Sequence, residues 1–62
     1  MTASNDIAAE LKRIRQLHGW SQGDLARKLG VSFATVNRWE NGKTKPSRLA
    51  QEKIKQITNM GN

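Results

Sequence analysis

The sequence predicts an all-α, compact four-helix domain with a helix-turn-helix formed by helices 2 and 3. Three observations predict it. Apolar residues recur at three- and four-residue spacing in four separate stretches, each marking one buried stripe. Serines stand just ahead of three of those stretches, at Ser21, Ser32 and Ser47, where a hydroxyl can accept the free amides of a first helical turn. Glycines follow the first three stretches, at Gly19, Gly30 and Gly42, where a left-handed residue ends a helix and turns the chain.

Helix 1 is expected over about 6–17, starting near Asn5 or Asp6. Ile7, Leu11, Ile14 and Leu17 form its buried stripe. Asp6 and Glu10 near its start, and Lys12, Arg13 and Arg15 later, agree with the helix dipole. His18-Gly19 ends it. His18 is the only histidine and has no evident partners for a metal site or acid–base work, so it reads as a capping or surface residue.

Helix 2 is expected over 22–29. Ser21 and Asp24 can serve the first-turn amides reciprocally, and Trp20 and Leu25 form a hydrophobic staple. Leu25 and Leu29 face inward. Ala26 beside them is small enough to let the next helix cross closely. Gly30 makes the turn. Helix 3 is expected over 33–41, capped by Ser32 and stapled by Val31 and Val36. Val36 and Trp39 point to the core, which leaves Ser32, Phe33, Ala34, Asn37, Arg38 and Asn41 on the other faces.

Lys43-Thr44-Lys45-Pro46 is a short basic loop, and Pro46 favours a fresh start. Helix 4 is expected over 47–58, with Ala50, Ile54 and Ile57 as its stripe and Leu49 beside it. Residues 59–62 should fray. The expectation is one domain over 1–62 with an ordered core at 6–58 and Trp20, Leu25, Leu29, Val36, Trp39 and Ile54 inside.

Composition narrows the function classes. Lys and Arg number 11 against 5 Asp and Glu, a net charge of +6 on 62 residues, and six of the cations fall from Arg38 onward. So basic a small body is attracted to polyanions. There is no cysteine to supply a disulfide or a thiolate zinc site. The polar start MTASNDIAAE lacks the pattern of a signal peptide, and no apolar run is long enough to span a membrane. A membrane-surface helix is disfavoured because every apolar stripe is needed for the core. With one histidine and no glycine-rich phosphate loop, enzyme chemistry is not expected, nor any metal, cofactor or small-molecule substrate.

The strings R-Q-L-H-G-W-S-Q from Arg15, D-L-A-R-K-L-G-V-S from Asp24 and W-E-N-G-K-T-K-P-S from Trp39 occur in that order. Together they resemble the phage-repressor type of helix-turn-helix, the lambda and 434 repressor and Cro family, also called the XRE family. The resemblance covers about Leu11 to Ile57. It implies a lambda-repressor-like fold whose helix 3 enters the DNA major groove while helix 2 crosses the backbone. Such domains commonly have a fifth helix that closes the core and helps them dimerise; the stripes here number four, so a homodimer on a palindromic site is left open.

The expected base contacts are Ser32, Phe33, Ala34, Asn37 and Arg38. Arg38 has the donor fork that suits guanine, and Asn37 the donor and acceptor that suit adenine. Phe33 and Ala34 can pack on thymine methyls, although Phe33 could instead fold back into the core. The resemblance implies phosphate contacts from Gln22, which also heads helix 2 where free amides favour an anion, and from Asn41, Lys43, Thr44 and Lys45 around the loop, with Arg48 beside them at the start of helix 4. The resemblance further implies that Arg15 and Glu40 pair between helices 1 and 3, which cancels a carboxylate that would repel phosphate. The leading functional expectation is sequence-specific binding of double-stranded DNA by a cytoplasmic transcriptional regulator of a prokaryote or phage. The alternative is a protein-interaction or antitoxin-type module on the same fold.

Overall fold

Capping serines open three helices of the computed structural model. Ser21 Oγ accepts the Asp24 amide at 3.1 Å while the Asp24 carboxylate accepts the Ser21 amide at 3.0 Å, a reciprocal capping box. Ser32 Oγ accepts the Thr35 amide at 3.1 Å, and Ser47 Oγ accepts the Ala50 amide at 3.2 Å. The structure describes residues 7–60. It has α1 at Ile7–His18, α2 at Gln22–Leu29, α3 at Phe33–Glu40 and α4 at Arg48–Met60, with no strand among the described residues. The expected start of helix 1 at Asn5 or Asp6 lies outside them.

The turns on either side of α3 are built alike. Gly30 has φ +73°, and the Val31 amide reaches back to the Ala26 carbonyl at 3.0 Å. Gly42 has φ +75°, and the Lys43 amide reaches back to the Arg38 carbonyl at 3.0 Å. This six-residue closure with a left-handed residue inside it satisfies the last carbonyls of each helix and turns the chain in one step. It lets α3 pack against both α2 and α1, while α4 packs against α2.

Leu11, Ile14, Leu25, Ala26, Leu29, Val36, Trp39, Ile54 and Ile57 form the core. Two core expectations need correction. Leu17 is 76% exposed. The stripe through Ile7, Leu11 and Ile14 continues to position 18, and at about 100° per residue Leu17 lies roughly a quarter-turn off it. His18 takes that place and is half-buried. Trp20 is only partly buried and packs against the edge of the core. One ring face stacks on His18 at a centroid separation of 4.2 Å, and the Lys28 ammonium lies 5.4 Å from its ring centroid. Pro46, read as a loop residue, is buried.

Candidate nucleic-acid interface

A buried carboxylate lies behind the outer face of α3. Glu40, at the last turn of the helix, is 3% exposed. Arg15 on α1 meets it with two donors, Nε to Oε2 at 2.7 Å and Nη2 to Oε1 at 2.9 Å. Gln22 at the first turn of α2 adds a third, Nε2 to Oε1 at 3.0 Å. Burial alone would push the Glu40 carboxyl up. The hydrogen bonds from Arg15 and Gln22, with the charges of Arg15 and Lys12, outweigh it and hold the group below its ordinary value. The same pairing raises Arg15. The expected contact between Arg15 and Glu40 is therefore present, joining three helices rather than two.

Gln22 carries the contact further. Its Oε1 accepts from Asn37 Nδ2 at 3.1 Å, and Asn37 Oδ1 in turn accepts from Asn41 Nδ2 at 3.0 Å. One expected phosphate contact, one expected base contact and another expected phosphate contact are thus brought into a single hydrogen-bonded row along α3. Each amide keeps capacity beyond these bonds. Contacts to Glu40 and Asn37 from a residue 18 and 15 positions away have no local pattern, and the sequence reading missed them. The bond from Asn41 to Asn37 is a four-residue helical pair that spacing could have shown.

The other expected base-contact residues lie at the surface. Phe33 is 57% exposed, so it does not fold back into the core. Ala34 and Arg38 are exposed, and Arg38 makes no side-chain hydrogen bond or ion pair with any described residue. Ser32 is exposed too, but its hydroxyl is engaged by the Thr35 amide and lies 2.9 Å from the Thr35 hydroxyl. After α3 the chain runs through Lys43, Thr44 and Lys45 to Arg48, all exposed. Among the described residues no cluster of His, Cys, Asp or Glu could hold a metal ion, and no helix is long and apolar enough to cross a membrane.

Comparison with known proteins agrees with the helix-turn-helix formed by α2 and α3. The helix-turn-helix family model matches residues 11–57. Antitoxin HipB of Escherichia coli K12 is 43% identical over 35 residues, which cover 56% of this chain and 40% of that protein. The uncharacterized HTH-type transcriptional regulator MJ0272 of Methanocaldococcus jannaschii is 53% identical over 38 residues, covering 61% of this chain and 58% of that protein. The chain thus spans less than two thirds of the length of these relatives. No solved structure matches. The chain belongs to the helix-turn-helix family, of the XRE type that its sequence resembles.

Proposed function

We propose that this domain binds double-stranded DNA sequence-specifically, with α3 in the major groove, and serves as a transcriptional regulator. The observation that carries the reading is the contrast between Arg38 and every other polar side chain of α3. Thr35, Asn37 and Glu40 are bonded within the protein, whereas the Arg38 fork is exposed and unengaged among the described residues. Phe33 and Ala34 stand exposed one turn earlier on the helix. Planar donors beside small apolar surface suit the guanine acceptors and thymine methyl of a major groove. Gln22, Asn41, Lys43, Thr44, Lys45 and Arg48 would hold the flanking phosphates, which fix register without reading sequence. A random-oligonucleotide selection with the purified protein tests the proposal. An enriched motif supports it, with palindromic symmetry indicating a homodimer; a pool that stays random overturns it.

A second reading draws on another face. Trp20, Leu29 and Ile57 line a groove of about 540 Å³ with Arg27, Lys28 and Lys53 also around it. Apolar lining with cationic surroundings suits an acidic segment of a partner protein, in keeping with the relatives named antitoxin. A partner that binds the Arg38→Ala protein normally but loses the Lys53→Glu protein would favour this use of the fold.

A further inference from the structure

The row of hydrogen bonds from Arg15 to Asn41 has a direction, and one residue sets it. A carboxylate can only accept. Gln22 must therefore turn its NH2 toward Glu40, at 3.0 Å. Its carbonyl oxygen then faces Asn37, which must present its own NH2, at 3.1 Å. That leaves the Asn37 carbonyl to accept from Asn41, at 3.0 Å. The two ends of a side-chain amide have nearly the same shape, so packing alone would not choose between an amide and its flipped form. The acceptor-only group at the head of the row does choose.

We infer that Glu40, acting through Gln22, is a positioning residue that fixes the donor–acceptor sense of the Asn37 amide and so selects the base edge that α3 can read. The inference rests on the DNA-binding reading above. With both internal bonds made, Asn37 retains one N–H and one carbonyl lone pair, the complement that an adenine edge takes. An unrestrained asparagine could rotate its amide and offer the two in either order. One held by Gln22 offers a single order and gives up less freedom on binding. The ion pair of Arg15 and Glu40, which by itself joins helices, thereby acts on recognition from beneath the surface.

The test uses Gln22→Met, which breaks the row while leaving the Arg15–Glu40 pair in place. The side-chain amide resonances of ¹⁵N-labelled protein are followed without DNA, and affinities are measured on duplexes varied one base pair at a time around the selected site. The expected result is that the Asn37 NH2 signals move and exchange faster. Discrimination at one base pair, about tenfold in the parent, should fall toward none while the other positions keep theirs. Unchanged Asn37 signals with an equal loss on every duplex would overturn the inference and make Gln22 a phosphate contact only. If the parent discriminates no duplex, the DNA reading itself fails, and the amide signals still show whether the row exists.

A second pair of variants needs no DNA. Asn37→Asp puts an acceptor against the Gln22 carbonyl, so it should lower the unfolding midpoint more in the parent protein than in Gln22→Met, where that carbonyl is gone and the helix-propensity and dipole costs of Asp are the same. An equal loss in both backgrounds would show that the sense of the row carries no weight.

Discussion

The two faces of α3 contrast in burial and in bonding. On the inner face Val36 and Trp39 are buried, and Glu40 is enclosed by three donors from α1 and α2. On the outer face Phe33, Ala34 and Arg38 are exposed, and nothing among the described residues holds the Arg38 fork. Of the eight residues of α3, three thus hold the fold and three are free for a partner, while Thr35 and Asn37 stand between the faces, bonded within the protein. The lesson is that the inner face orients the outer one. Because α3 is held by packing on two helices and by the hydrogen bonds to Glu40, its exposed side chains are presented from a helix anchored on its opposite face.

The sharpest way to break this division is from inside. Trp39→Ala should cost about 3–5 kcal/mol of folding stability, comparable with the whole stability of so small a domain. Chemical denaturation followed by circular dichroism checks it. A cooperative transition with a nearly unchanged midpoint would mean that the inner face does not depend on its largest side chain.

The polar part of the inner face should come next. Glu40→Ala strands the Arg15 guanidinium and the Gln22 amide and should cost about 3 kcal/mol, the low end for breaking a buried pair, because the Arg15 side chain is 23% exposed and water can reach it. Replacing Arg15 and Glu40 together by apolar residues should cost much less, and additive single effects in the double-mutant cycle would show that the two are uncoupled. Acid separates the charge from the packing. The Glu40 carboxyl is held below its ordinary value in the fold, so the unfolded chain takes up the proton first as pH falls. Its stabilisation is complete above the unfolded value near 4.5 and is lost as pH drops through the folded one. Asp24, likewise lowered, by its hydrogen bonds to the Ser21 backbone and hydroxyl, adds to the same acid limb. Denaturation midpoints measured from pH 7 to 2 should decline more gently for Glu40→Gln than for the parent protein.

How much of this was legible in the sequence follows from distance along the chain. Helix 2 matches its expected span, and the helix 3 and 4 ends differ by one or two residues, because serine caps and glycine turns act within a few residues. Leu17 failed because its hydrophobicity suggested burial while the helical phase assigned that place to His18. Trp20 was expected inside, yet it sits at the core edge, where His18 and Lys28 occupy its ring. The pairing of Arg15 with Glu40 came from family resemblance, since no local rule joins residues 25 apart. The link through Gln22 had neither kind of signal. Its first-turn position, read alone, suggested only an anion contact, and only the assembled fold brings Glu40 and Asn37 to its two ends.

The outer face is sharpened by Arg38→Ala. Stability should be nearly unchanged, because the side chain is exposed and unengaged. Affinity for the selected site should fall by about 1–3 kcal/mol, with preference relaxed at one base-pair position and a smaller loss on unrelated DNA. Competition titrations on specific and random duplexes distinguish the outcomes. An equal loss on both would assign Arg38 to the backbone and leave base reading to Asn37, Phe33 and Ala34.

The smallest expected effect lies just beyond α3. Lys43 follows the left-handed Gly42, and its amide closes the turn onto the Arg38 carbonyl at 3.0 Å, so the backbone there is tied to the helix while the ammonium is exposed. Replacing the side chain leaves that amide bond in place, and the fold should be indifferent to Lys43→Ala. A phosphate held by the ammonium releases a counterion on binding, which gives a log–log salt slope of about −0.9 per contact. Lys43→Ala should therefore weaken binding to all duplexes alike and flatten the slope by about one unit, with base preferences intact. Affinities measured across a salt series decide it. A parallel salt dependence for variant and parent would place Lys43 outside the interface, and the reading surface would then end with α3.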